Sequence, residues 1–386
     1  MAKKLTKNGY DFDFDNDIDD DKGLDEIRLR PFPIAETVLA LQNTEHSEAV
    51  LPAGAIYGLS DLVDESVAIL RKVWPEIPAM QRRRTAKLLT EVSETNFDLD
   101  FEAFSYLAFE DDDPEVRAEG VAMTWYVGSE RMYHHLMSLV RDNVPLVRAA
   151  AVEGLGRFIR DGELEEFDGR LAEQAQKVVL ARYDDLREDD EVRRRALEAI
   201  SFCTHPRLPD LIYEAYYSDD LLMKASAIFA MGSSCDVRWK DIIMKELDNR
   251  EPEIRFEAVR GAGQLELAGS VRRLIELAYE DDYEIRLMAV WAMGEIGSKE
   301  AREALAEIME LADQNEDDEL AEAAEEALGM ASLVGEQFFP LFNLEDDLEG
   351  VDDFEYAFDD DFDELGELDE FEDDDELDSN DWASLN

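Results

Sequence analysis

The sequence predicts an all-α fold, a solenoid of about eight antiparallel helix pairs with disordered acidic termini. Three observations carry this: a motif that recurs every 31 residues, one position in every copy that is always small, and acidic charge concentrated outside the repeats.

The repeat comes first. The segment Asp281-Asp-Tyr-Glu-Ile-Arg-Leu-Met-Ala-Val-Trp-Ala-Met-Gly294 is echoed by residues 219–232 and 250–263. Each copy is anchored on an apolar residue that precedes a basic one. The anchors are Val116, Val147, Val192, Met223, Ile254 and Ile285, at spacings of 31, 45, 31, 31 and 31. A degenerate copy on Leu320 reads as an end cap. An earlier copy, Arg82-Arg-Arg-Thr-Ala86, aligns Ala86 with the small position but lacks the anchor. The 45-residue step predicts a loop inserted at Asp161–Gly169, where Gly and carboxylates cluster.

The positions within a copy read as the second helix of a pair. Asp or Glu, sometimes with Pro, precedes the anchor (Asp113-Pro114, Glu251-Pro252, Asp282, Asp317), which is N-cap and first-turn chemistry. Four residues past the anchor stand Gly120, Ala151, Ala196, Ala227, Ala258, Ala289 and Ala324, small enough for helices to pack closely. Nine past it Gly recurs at 156, 232, 263, 294 and 329, which suits a helix terminus. The first helices are expected near Leu211–Tyr217, Trp239–Leu247, Val271–Tyr279 and Ala301–Leu311, with apolar residues three and four apart. An N-terminal pair lies near Leu59–Val92. Because one pair cannot bury its apolar face alone, the stack is expected to share one continuous core.

Charge sets the boundaries. Residues 1–50 form an acidic, irregular segment, 51–335 the solenoid with clear repeats over 110–335, and 336–386 an acidic, aromatic tail. The net charge is −58, yet 303–386 holds 34 carboxylates and no Lys or Arg. That field repels phosphate backbones and attracts basic proteins, so direct nucleic-acid binding is not expected. No apolar run approaches the roughly 20 residues of a membrane span, and Met1-Ala-Lys-Lys leads into Tyr10-Asp-Phe-Asp without a signal-peptide core. With two cysteines, Cys203 and Cys235, outside any Cys-x-x-Cys motif, the expected location is cytoplasmic.

The motif Asp-Asp-x-x-Ile-Arg-x-x-Ala-Val-x-Ala-Met-Gly resembles the HEAT-repeat family, in particular its short-repeat branch of phycobilisome lyase-like proteins and deoxyhypusine hydroxylases. The resemblance covers about residues 110–335 and implies a HEAT solenoid. The hydroxylases hold di-iron through paired His-Glu motifs. Here His46, His134, His135 and His205 are followed by Ser, His, Leu and Pro, so that activity is not expected. His134-His135 is adjacent along a helix and points two ways, a poor chelate. The run Asp11, Asp13, Asp15, Asp17 lacks the Gly and Glu of a calcium loop, and no phosphate loop or nucleophile elbow occurs. No cofactor is assigned. A bilin-lyase-like or other catalytic role, which the resemblance also allows, is the alternative to a non-enzymatic scaffold, adaptor or chaperone-like binder.

On a helical wheel the face opposite the anchor is centred six residues past it, flanked by the positions two, three and ten past. Those positions hold Arg194, Arg195, Phe202, Phe229, Phe256, Arg260, Leu287, Met288 and Trp291, expected to form an aromatic and arginine stripe on the concave side for a protein partner. The basic residues Arg117, Arg148, Arg193, Lys224, Arg255 and Arg286 recur with the repeat and are expected to pair with acidic turns of adjacent repeats. In the tail, Phe354, Tyr356, Phe358, Phe362, Phe371 and Trp382 alternate with carboxylates, a pattern that recruits basic partners or folds back onto the stripe as an intramolecular competitor.

Overall fold

The computed structural model describes residues 31–42 and 51–336. The Tyr10 segment, the Asp11 to Asp17 run, His46 and the six tail aromatics lie outside the described residues. The chain divides into two compact units, Met1–Gly335 and Glu336–Asn386, and all described residues but Glu336 belong to the first.

Helices follow one another along that unit, and among the described residues there is no strand. They are α1 (Ile34–Gln42), α2 (Ala53–Tyr57), α3 (Asp64–Val73), α4 (Ala79–Thr95), α5 (Glu102–Ala108), α6 (Pro114–Ala122), α7 (Glu130–Leu139), α8 (Pro145–Glu163) and α9 (Gly169–Asp184). The series continues with α10 (Asp190–Ile200), α11 (Leu208–Tyr216), α12 (Leu221–Ser233), α13 (Lys240–Glu246), α14 (Pro252–Gln264), α15 (Val271–Leu277), α16 (Tyr283–Ile296), α17 (Lys299–Gln314) and α18 (Asp318–Glu336). Taken in chain order from α3, these are the eight expected pairs. Every anchor is buried, from Val116 to Leu320. The second helices start as read: Asp113, Asp189, Asp220 and Asp282 accept hydrogen bonds from amides of their first turns. Glu251 makes no such bond, and Pro252 opens α14 instead.

The second helices pack in an unbroken row, α4 on α6, α6 on α8, and so on to α16. Consecutive first helices pack on one another far more sparsely than consecutive second helices do, which makes the second-helix row the tightly spaced side of the solenoid. Glycine explains the spacing. A Cβ at Gly156 would meet the Ala199 Cα at 3.1 Å, one at Gly263 the Ala292 Cα at 2.9 Å, and one at Gly294 the Ala327 Cα at 3.0 Å. In each case the glycine nine past one anchor faces the residue seven past the next. These glycines therefore serve helix approach rather than helix termination, a correction to the sequence reading.

Termination happens three residues later. Cys235, Glu266 and Gly297, each twelve past its anchor, take left-handed φ values of 52°, 49° and 59°. Only the last has the residue that this conformation favours.

Three further expectations change. The insertion at 161–169 is a loop only at its centre, residues 164–168, and its flanks are helical: α8 runs to 19 residues against 13 in α12 and α14, and α9 to 16 against 9 in α11. The extra length extends the two helices and leaves a short connection, because Leu155, Phe158, Ile159, Val179 and Tyr183 give it an apolar face to bury. The core is two clusters rather than one, Leu41 to Met123 and Tyr106 to Ala331. They meet at α5, whose Phe104, Leu107 and Ala108 face one cluster while Tyr106 faces the other. The early repeat copy shifts by one: Arg82 is the residue after the anchor position, so Thr85 holds the small site and Ala86 the next.

Arg82 shows why. Its Nε donates to Asp111 at 2.8 Å and its Nη1 to the Ile77 carbonyl at 2.7 Å, while Trp74 donates to the same Asp111 carboxylate at 2.6 Å. This is the first rung of a ladder. Arg117 holds Asp142 at 2.9 Å and the Asp111 carbonyl at 2.9 Å. Arg148 holds Glu188 and the Asp142 carbonyl, Lys224 reaches Glu246 at 3.3 Å, and Arg255 pairs with Glu280 and the Asn249 carbonyl. Each of these arginines thus ties its own turn to the next repeat's turn, as the recurrence predicts, while Lys224 reaches the next turn and lies over the Tyr216 ring at 5.0 Å. Arg193 and Arg286 depart from this. Arg193 donates to the Tyr183 carbonyl at 3.1 Å, and Arg286 lies over the Tyr283 ring at 4.6 Å.

Candidate interaction surface on the second helices

The side chains on the second-helix row fall into two stretches. The downstream stretch, on α10, α12, α14 and α16, carries the nine residues singled out from the wheel, and all nine are half-buried. Phe256, Leu287, Met288 and Trp291 pack against the core, and the Trp291 ring lies against Gly263. Phe202 and Phe229 meet edge to face at 5.9 Å, and the Arg260 guanidinium covers Phe229 at 3.9 Å.

The arginines are not bare cations. Arg194 pairs with Glu191, Arg260 with Glu257, and Arg195 with Glu198 at 2.8 Å and Glu191 at 3.0 Å. Ser226 completes the cluster by donating to Glu198 at 2.6 Å. Burial opposes the charge of Arg195, but Glu153 and Glu198 outweigh it and raise its pKa. Burial raises the Glu257 carboxyl, with Arg260 acting against it. A cavity of about 330 Å³ opens among Arg194, Arg195, Glu198, Leu222, Phe256 and Glu257. Six of the nine predicted residues therefore cluster around this cavity and the neighbouring Phe229 ring, while Leu287, Met288 and Trp291 continue the face on α16.

The upstream stretch, on α4, α6 and α8, was missed by the wheel argument. A groove of about 420 Å³ is lined by Glu94, Phe97, Ala122, Trp125, Ala150, Glu153 and Arg157, among others. Phe97 is 78% exposed and Trp125 47% exposed, and the two rings stand edge to face at 6.0 Å. Trp125 is held from below. Its Nε1 donates to the Ser93 carbonyl at 3.3 Å, while Arg157 donates to the Thr124 carbonyl at 2.9 Å and to the carbonyls of Trp125 and Val127. Burial brings the Arg157 pKa down to about 10. Burial raises the Glu153 carboxyl, with Arg195 at 3.6 Å lowering it in part. One signal for this groove existed in the sequence: Trp125 sits nine past Val116, where five other copies have Gly.

Outside these stretches, His135 stacks beside Tyr106 and Phe109 at 4.8 and 5.6 Å, and His134 faces Glu130 at 3.4 Å. Cys203 is buried, which pushes its thiol up to about 12, and Cys235 is exposed. Among the described residues no three His, Cys, Asp or Glu side chains converge as ligands of one metal, and no helix is long and apolar enough to cross a membrane.

Family comparison agrees with this architecture. The family model described as HEAT repeats matches residues 240–329, and that described as HEAT repeat matches 132–161. Those two stretches of the chain are HEAT repeats. No curated protein matches the chain. Solved structures similar to this chain include human deoxyhypusine hydroxylase in complex with glycerol, at 18% identity over 69% of this chain and 96% of that one, with a TM-score of 0.32. An engineered protein is similar at 19% identity over 52% and 96%, TM-score 0.35. Importin beta is similar at 11% identity over 77% of this chain and 44% of its own, TM-score 0.38.

Proposed function

We propose that this HEAT protein is a non-enzymatic scaffold that binds protein partners along its second helices, with the acidic tail recruiting basic ones. The observation that carries the reading is the pair of open concavities on the tightly spaced side, lined by aromatic and charged side chains. Aromatic residues and Arg dominate binding energy at protein interfaces, and a repeat array presents them as one extended surface. The tail adds reach. Its 22 carboxylates after Pro340, with no cation, attract basic proteins over about a Debye length of 8 Å at physiological salt.

The test is affinity capture from cytoplasmic extract with the full chain, a chain ending at residue 340, and a full chain carrying Arg195→Ala and Phe256→Ala. The expected result is loss of basic proteins on removing the tail and loss of a different set on changing the surface. Identical recoveries from all three chains would sink the reading. Pigment absorbance or stoichiometric iron in the purified protein would replace it with a catalytic one.

A further inference from the structure

We propose that the groove between α4, α6 and α8 receives a basic, aliphatic segment of a partner protein, laying a Lys or Arg side chain on Trp125 with its cation toward Glu94 and Glu153. This rests on the interaction reading above and assigns a partner chemistry to a site outside the predicted stripe.

Three and six past the anchor, α10, α14 and α16 carry large or charged groups, Arg195 and Glu198, Glu257 and Arg260, Met288 and Trp291, and α12 carries Ser226 and Phe229. The α6 and α8 copies have Ala122 at the sixth position and Ala150 at the third. Small side chains there leave the groove open, with about 420 Å³ to fill, near the low end of ligand-sized pockets. What the downstream stretch does for itself shows what fits. Arg260 covers the Phe229 ring at 3.9 Å and pairs with Glu257, an arginine on an aromatic beside a carboxylate. Upstream the aromatic and the carboxylates are present and no resident arginine fills the part, since Ala122 stands at Arg260's repeat position.

Charge completes the case. Arg157 directs its guanidinium at backbone carbonyls, and the Glu153 side chain, although walled in by its neighbours and paired with Arg195 at 3.6 Å, keeps 62% of its surface open. Glu94 is exposed as well. A cation gains from both carboxylates and from the indole face, an attraction that strengthens as the groove closes over it and excludes water. An acidic segment, including this chain's own tail, carries the wrong charge.

The experiment uses the full chain and a fluorescein-labelled peptide of six Arg-Leu repeats, read by anisotropy at 0.15 M salt, with a Glu-Leu peptide of equal length beside it. The tail contributes the same background to every variant. Ala122→Phe is the blocking change, because Phe229 already occupies the same repeat position; Ala122→Ser is its control. Binding of the Arg-Leu peptide is expected to weaken at least tenfold in Ala122→Phe, about fivefold in Trp125→Ala and about threefold in Glu153→Gln, and to stay unchanged in Ala122→Ser. Thermal melts check folding; should Ala122→Phe unfold, Trp125→Ala and Glu153→Gln carry the decision. If the Arg-Leu peptide binds all variants as it binds the parent, the groove is not its site, and the scaffold reading survives on another surface. Equal binding of the Glu-Leu peptide, or none of the Arg-Leu peptide, overturns the cationic chemistry.

Discussion

The upstream and downstream repeats use the same ladder of cations and the same buried anchors, yet they treat their shared face in opposite ways. From α10 to α16 the face is largely filled from within, around one remaining cavity of about 330 Å³. Aromatics lie on the glycines of the preceding helix, arginines lie on aromatics, and carboxylates neutralise the arginines. On α6 and α8, Ala122 and Ala150 stand at two of the equivalent positions, and Trp125 and Phe97 remain open. The lesson is that a repeat's anchors fix its packing, while the few residues off the core decide whether a copy completes itself or leaves room for a guest. Buried positions have little freedom because close-packed interiors resist volume changes. Face positions carry no such restriction.

The sharpest test of that division is at glycine. Gly263→Val would place side-chain atoms against the Ala292 backbone and the Trp291 ring, both 2.9 Å from the new Cβ. It is expected to cost about 3 kcal/mol and to lower the urea midpoint clearly. Gly329 faces no atom within 4 Å, so Gly329→Ala is expected to add about 0.5 to 1 kcal/mol through helix propensity. Equal effects at the two sites would remove close approach as the reason for the recurrent glycine.

Tryptophan separates the two faces more directly. Trp291→Ala removes a ring packed on the core and is expected to cost about 2 kcal/mol in thermal or urea unfolding. Trp125→Ala loses exposed area and one hydrogen bond of 3.3 Å, and is expected to cost less than about 1 kcal/mol. Comparable losses would mean that the upstream groove is as self-completed as the downstream face.

A change smaller than those at Gly263 and Trp291 is expected at the ladder, which runs through both stretches. Burial alone would raise the Glu188 carboxyl, but Arg148, the Asp189 amide and Arg182 outweigh it and hold its pKa near 2, against an ordinary 4.5. Glu246 is held to about 2 in the same sense, with Tyr216, Asn249, Lys224 and Lys245 opposing burial. A depressed folded pKa means that the stabilisation is present above about pH 4.5 and drains away as pH falls toward 2. Glu188→Gln is expected to cost about 1 to 2 kcal/mol at pH 7 and to flatten the loss of stability between pH 4.5 and 2. An unchanged acid profile would remove Glu188 from the ladder's energetics.

Much of this fold was legible because a solenoid repeats its physics. The anchors, the small residues four past them and the acidic caps are local or nearest-neighbour requirements, so each copy testifies for the others. Two roles were misread for the same reason that others were clear. The late glycine was given a terminal role because helix ends favour glycine, whereas its neighbour lies on the next repeat, about 30 residues away in sequence. The extra residues look by composition like a loop over all of 161–169, and only the apolar partners of Leu155, Phe158 and Tyr183 show that helix extends to Glu163 and resumes at Gly169, with the loop confined to 164–168.

The candidate surface divides along the same line. From the sequence alone came the helix pairs, the face on which the stripe lies, the cations of the ladder and the charge that separates the tail from the repeats. Periodicity and charge are properties of the chain itself. The structure alone decided that Arg194, Arg195 and Arg260 are neutralised by neighbouring glutamates, that the face downstream is half-buried, and that Phe97, Trp125, Glu94 and Glu153 share a groove. Those outcomes depend on which side chains meet across helices, and no spacing along one strand of sequence records that.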